Sequence, residues 1–154
     1  MKRSLTIAAL LASMLFAETN PFLGVWTMNL RKSKYPHGAL PKSMVVRMEA
    51  APGGIHYHSD TTGADNRVTQ ADYVADYSGK EATVRGVAGI LAPVSLQRLD
   101  ANTVVASYIH GGQVIATSRR SISKDGRIMT ISTTSKDKDG NSVTNTGVYE
   151  RARP

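Results

Sequence analysis

The sequence predicts an all-β fold, an antiparallel up-and-down β-barrel of about eight to ten strands. Three observations carry that expectation. Beyond residue 17, no window of about ten residues places apolar side chains at i, i+3, i+4 and i+7 without an interrupting Gly, Pro or β-branched cluster. Turn punctuation recurs instead, as Pro52-Gly53-Gly54, Ser78-Gly79-Lys80, Asp100-Ala101-Asn102, Gly111-Gly112, Lys124-Asp125-Gly126 and Asp139-Gly140. Between the turns lie short runs of Val, Ile, Thr and Tyr, which fit a pleated, half-buried surface.

In chain order the strands fall near Phe22–Leu30, Ser43–Ala50, Ile55–Asp60, Thr69–Tyr77, Glu81–Arg85, Val94–Leu99, Thr103–His110, Gln113–Ile122, Arg127–Ser135 and Asn141–Arg151. Most links are short, and a short link joins antiparallel neighbours, because a parallel return needs a crossover of a dozen or more residues. A sheet of that many strands curls, and closure removes its exposed edges. A two-sheet sandwich is the alternative architecture.

Residues 1–17 stand apart from this pattern. Lys2 and Arg3 form a basic start, Leu5–Phe16 is a mostly apolar stretch, and Ala17 precedes the polar, helix-breaking Glu18-Thr19-Asn20-Pro21. That is the layout of a secretory signal peptide cleaved after Ala17, and the stretch is too short for a membrane span. The expectation is one domain, residues 18–154, delivered to the periplasm or secreted. Loss of Lys2 and Arg3 lowers the formal charge of +7 by two. The remaining cations are scattered, and aromatic residues make up only 6%, so nucleic acid is excluded as a partner. The chain has no Cys, which excludes disulfide scaffolds, thiolate metal sites and a cysteine nucleophile.

Both ends of the chain carry a resemblance. Phe22-Leu23-Gly24-Val25-Trp26 is similar to the F-x-G-x-W signature that opens lipocalins and fatty-acid-binding proteins, the calycin group. Thr144-Asn145-Thr146-Gly147-Val148-Tyr149-Glu150-Arg151 resembles the closing strand of fatty-acid-binding proteins, T-C-T-R-x-Y-E-K. Trp26–Leu30 with Lys32-Ser33-Lys34-Tyr35, and Ser123–Thr130, resemble exported lipocalin-like bacterial proteins. The resemblance implies that Trp26, with Phe22 and Gly24, plugs the closed end of a barrel. It also implies a ligand held in the lumen by an inward arginine and a closing-strand tyrosine, here Tyr149. Two departures stand out. Arg31–Lys42, with Pro36, Gly38 and Pro41, has no room for the helix pair of fatty-acid-binding proteins, and Gly147 replaces the closing-strand arginine of their carboxylate clamp.

Arg119 and Arg120 are adjacent, so on a strand they face opposite sides of the sheet. Counted from Gly112, Arg119 sits where the resemblance implies an inward arginine; counted back from Asp125-Gly126, whose turn carries one extra residue, the inward position could be Arg120 instead. An inward guanidinium near Tyr149 suits a carboxylate or phosphate head group. Tyr57, Tyr73 and Tyr77 offer apolar bodies with hydroxyl handles to the same lumen, or simply pack the core. His56, His58 and Asp60 at i, i+2 and i+4 share one strand face and could meet at a metal. A solvated outer face explains them equally, because Ile55 and Tyr57 then point inward, and no metal or other cofactor is expected.

None of the common enzyme motifs occurs: no G-x-S-x-G, H-E-x-x-H, P-loop or dinucleotide glycine pattern. The function expected is binding of a small hydrophobic or amphipathic molecule, an anion among the candidates, with no catalytic residue assigned. An isomerase or lyase using the same pocket, or an envelope interaction protein with no ligand, are the other readings the sequence admits.

Overall fold

The computed structural model describes residues 19–87 and 89–153, so the expected signal segment lies outside the described residues. The chain forms β1 (Gly24–Met28), β2 (Ser43–Ala51), β3 (Gly54–Thr62), β4 (Val68–Asp76), β5 (Ser78–Ala82), β6 (Arg85–Gly86), β7 (Gly89–Ile90), β8 (Val94–Asp100), β9 (Thr103–His110), β10 (Gln113–Ile122), β11 (Ile128–Lys136) and β12 (Ser142–Arg151). All pair antiparallel in one sheet ordered β5-β8-β9-β10-β11-β12-β1-β2-β3-β4-β6-β7. No helix occurs among the described residues. The sheet curls until β4 and β5, which sit far apart in ladder order, come together at the corner around Tyr77. β4 and β5 meet there through the chain link at Tyr77, with no ladder between them.

Nine of the ten expected strands lie where the turn spacing places them. The exception is Glu81–Arg85. The chain starts β5 already at Ser78, because the Asp76 carboxylate accepts from the Ser78 amide at 3.0 Å, and Gly79 (φ 86°) sits in a bulge between the Ser78 and Glu81 pairings. Arg85 belongs instead to the small β6–β7 hairpin, which pairs with β4 only at Ala71 and Asp72.

The period-2 pattern sets the interior. Trp26 and Met28 of β1, Val46 and Met48 of β2, Ile55 and Tyr57 of β3, Tyr73 and Ala75 of β4, Leu96 of β8 and Val104 of β9 are all buried. One end is plugged. Trp26 is fully buried and its indole N–H donates to the Phe22 carbonyl at 2.9 Å. Arg151 lies on the ring and donates to the carbonyls of Pro21, Leu23 and Gly126. Gly24 is required between them, since φ there is 126° and a Cβ would come within 2.6 Å of the Arg151 guanidinium. This accounts for each fixed position of Phe22-x-Gly24-x-Trp26.

The other end is bounded by the β3–β4, β9–β10 and β11–β12 turns and by the Arg31–Lys42 connection. As expected, that connection contains no helix. It is pinned to β12 by a reciprocal pair of backbone hydrogen bonds between Lys34 and Thr146, at 2.7 and 2.8 Å.

Candidate functional site

Arg120 points into the barrel and Arg119 points out. Arg120 is 2% exposed, whereas Arg119 is exposed. The two ways of counting disagree because of a bulge: Val114 pairs with Ile109 and Ala116 with Tyr108, leaving Ile115 unmatched. One extra residue reverses the inward parity for the rest of the strand, so the count from Gly112 fails and the count from Asp125-Gly126 holds.

From β10, Arg120 crosses the interior to the opposite wall. Its guanidinium carbon lies 5.0 Å from the centroid of the Tyr57 ring on β3. Tyr57 pairs directly with Tyr73 of β4, and the two rings stack with centroids 4.7 Å apart and planes at 13°. The Arg120 Nη2 group donates to the Tyr108 hydroxyl at 3.4 Å, a long bond. The Arg120 Nε and Nη1 groups and the Tyr73 hydroxyl are buried with no hydrogen-bond partner. Tyr73 is close enough to feel the charge of Arg120 yet makes no well-formed bond to it.

Among the described residues, Arg120 is the one charged side chain that is buried. Burial is the largest influence on its charge and opposes it; the raised pKa comes from charge attraction to Tyr73, Tyr108 and Tyr57. That attraction acts on phenolates and lapses while the tyrosines keep their protons, and the guanidinium stays charged throughout the ordinary pH range. Burial also pushes up the hydroxyls of Tyr73, Tyr57 and Tyr149, so all three stay protonated and able to donate. A buried, unpaired guanidinium with orphaned N–H groups is costly unless something supplies acceptors.

Tyr149 is buried nearby and its hydroxyl feels the Arg120 charge, but it donates elsewhere, to the Met44 sulfur at 3.2 Å. Gly147 permits this. A Cβ there would fall 2.8 Å from the Tyr149 ring and 3.1 Å from the Met28 methyl. The closing-strand position that carries arginine in fatty-acid-binding proteins is thus covered by the tyrosine ring.

Met44 and Tyr35, both packed on the core beside Tyr149, also line a groove of about 470 Å³ at the unplugged end, with Ala39, Pro41, Thr61 and Gly63. The groove is therefore separated from the Arg120 group by the Met44–Tyr149 contact.

Tyr77 stands apart from this group. It lies at the β4–β5 corner beside the plugged end, its hydroxyl takes a hydrogen bond from Asn20 at 2.8 Å, and Arg98 lies 5.7 Å from its ring centroid. β4 ends at Asp76, so Tyr77 no longer continues the inward stripe of Tyr73 and Ala75. The histidines lie on the outer face, as the inward Ile55 and Tyr57 require. His56 and His58 both reach the same Asp72 oxygen, at 3.0 and 3.1 Å, and His58 also meets Asp60 at 3.3 Å. Among the described residues no group of side chains is arranged to hold a metal ion.

Three members of the site escape the sequence reading, among them Met44, which shares parity with the inward Val46 and Met48. Tyr108 shares parity with the inward Val104 and Ala106, a signal that was there to be used. Tyr35 lies in an irregular connection with no periodicity to reveal it.

No protein-family model matches this sequence, and no curated protein sequence matches it. Solved structures do. One is the zebrafish ileal bile acid-binding protein in complex with cholic acid, at a TM-score of 0.53 and 12% identity, covering 86% of this chain and 99% of that one. The likeness establishes the fold alone, an antiparallel β-barrel like that of the bile acid-binding protein.

Proposed function

We propose that this barrel binds a small amphipathic molecule, with its polar end at Arg120 and its apolar body toward the groove at the unplugged end. The observation that carries this reading is the buried guanidinium whose Nε and Nη1 groups have no acceptor. A side chain in that condition needs a fixed acceptor or an anion, and no carboxylate is buried among the described residues. Entry requires Met44 and Tyr149 to part, which asks for side-chain rotation in a flexible methionine. The zebrafish protein, with the same fold, was solved with cholic acid, which is in keeping with a ligand-holding interior.

Calorimetric titration with decanoate tests the reading. Arg120→Met should weaken binding by about 2–5 kcal/mol, the range for removing one partner of a buried charge pair. Arg119→Met, on the outer face, should bind as the parent does. Equal affinity of the parent and Arg120→Met would overturn the reading.

We propose further that the protein works outside the cytoplasm, in the periplasm or beyond the cell. The basic start at Lys2-Arg3 and the apolar stretch Leu5–Phe16 support this. Terminal sequencing of protein recovered from expressing bacteria should begin at Glu18; a retained Met1 would count against it.

A further inference from the structure

We infer that the ligand's polar end is a singly charged oxyanion, a carboxylate or sulfonate and not a phosphate monoester, and that Tyr73 and Tyr108 help to select it. The inference rests on the binding reading above and deepens it through charge and donor count.

Charge comes first. Arg120 supplies one positive charge, and no other buried cation is present among the described residues. The side chains that face it are phenols from β3 (Tyr57), β4 (Tyr73), β9 (Tyr108) and β12 (Tyr149), and burial raises the pKa of Tyr57, Tyr73 and Tyr149. A monoanion neutralises the site. A dianion leaves one net negative charge in an apolar, tyrosine-lined interior, where uncompensated charge is strongly unfavourable.

The donor geometry names the two tyrosines. A guanidinium offers two edges for bidentate binding, one through Nε and Nη2 and one through Nη1 and Nη2. Both edges use Nη2, whose partner is the Tyr108 hydroxyl. An anion bound to either edge must therefore lie beside that hydroxyl. Because Tyr108 accepts from Nη2, its own proton is free to turn to the anion. The Tyr73 hydroxyl is buried, within reach of the guanidinium field and without a partner, so it is a second neutral donor. Together they bring donors but no further charge, which suits a carboxylate or sulfonate.

The test compares four probes with one decyl body: decanoate, decanesulfonate, decyl phosphate and decanol. At pH 8, decanoate and decanesulfonate should bind within a few-fold of each other and at least tenfold more tightly than decyl phosphate, which is then mostly a dianion. At pH 5, where decyl phosphate is a monoanion, its affinity should recover to that of decanesulfonate, whose own affinity stays constant between the two pH values. Tyr108→Phe and Tyr73→Phe should each weaken decanoate about five- to tenfold while leaving decanol unchanged, with circular dichroism reporting an intact barrel. Decyl phosphate binding as well as decanoate at pH 8 would overturn the charge selection while leaving the binding reading in place. Unchanged decanoate affinity in both Phe variants would overturn the role of the tyrosines. Decanol matching all three anions, or no probe binding at all, would instead remove the binding reading beneath.

Discussion

Arg151 lies over Trp26, its guanidinium carbon 4.2 Å from the ring centroid, and joins the last strand to the first at the plugged end. The same side chain donates to three carbonyls, those of Pro21, Leu23 and Gly126, so it fastens the chain entry, β1 and the β10–β11 turn together. Arg151→Met keeps the apolar stem and removes the charge-assisted bonds and the stacking. The expected loss is about 3 kcal/mol in urea unfolding, from hydrogen bonds to a charged donor and a partly desolvated cation–π contact. Decanoate affinity, read at the far level of the barrel, should stay the same. Arg151→Lys should rescue little, because an ammonium cannot serve three carbonyls and an indole at once.

Gly147 supports the packing of Tyr149 by having no side chain. Gly147→Ala introduces a methyl 2.8 Å from the ring and 3.1 Å from the Met28 methyl, and overpacking of this kind costs typically 1–3 kcal/mol. The ring has to shift, and with it the hydroxyl contact to Met44 at 3.2 Å. Decanoate association should therefore become faster, because the Met44–Tyr149 contact that separates groove from interior is loosened. Stopped-flow association rates check this; an unchanged rate with lowered stability would confine Gly147 to a packing role.

These two cases show why the fold was legible and the site only half so. The F-x-G-x-W and closing-strand motifs are local in sequence and encode a local necessity, the close approach of Arg151 to Gly24 and Trp26. Strand positions follow from turn residues and period-2 alternation. The inward arginine, by contrast, depends on a single unmatched residue, Ile115, and no composition rule announces a bulge there. Tyr57 and Tyr73 were visible as residues on interior-facing stripes, but their stacking needs the exact register of β3 against β4. Tyr77 carries the same periodic signal as Tyr73 but packs at the edge of the core beside Asn20 and Arg98, one residue past the end of β4, because strand ends are where periodicity stops being informative.

Acid should unfold the protein through its aspartates. Asp60 is held below the usual carboxylate range first by the Gln70 hydrogen bond, helped by Arg47 and His58. For Asp72, burial pushes upward, but hydrogen bonds from His56 and His58 outweigh it and its pKa falls. The turn aspartates Asp76, Asp100, Asp125 and Asp137 are lowered by hydrogen bonds from neighbouring residues. A carboxyl with a depressed folded pKa contributes stability that is present above its unfolded value, about 3.9 for Asp, and lost as pH falls through the folded value. The midpoint of urea unfolding should therefore hold steady on the alkaline side of about pH 5 and drop below about pH 4. In Asp72→Asn that drop should be shallower.

Arg120 should oppose stability while supporting affinity. The cation–π contact with Tyr57, at 5.0 Å, is worth on the order of 2 kcal/mol when desolvated, and the 3.4 Å bond to Tyr108 adds little. Against these stands the desolvation of a guanidinium with two orphaned nitrogen groups, a penalty of several kcal/mol even after relaxation. The penalty wins. Arg120→Met fills similar space with a flexible apolar chain, so the ligand-free variant should be more stable than the parent by about 1–3 kcal/mol in urea unfolding. Added decanoate should raise the unfolding midpoint of the parent by mass action and leave that of Arg120→Met where it was, so that the order of the two proteins reverses at high ligand concentration. A ligand-free Arg120→Met protein less stable than the parent would mean that the guanidinium is held by the barrel for its own structure, and the case for an anion as its missing partner would fall with it.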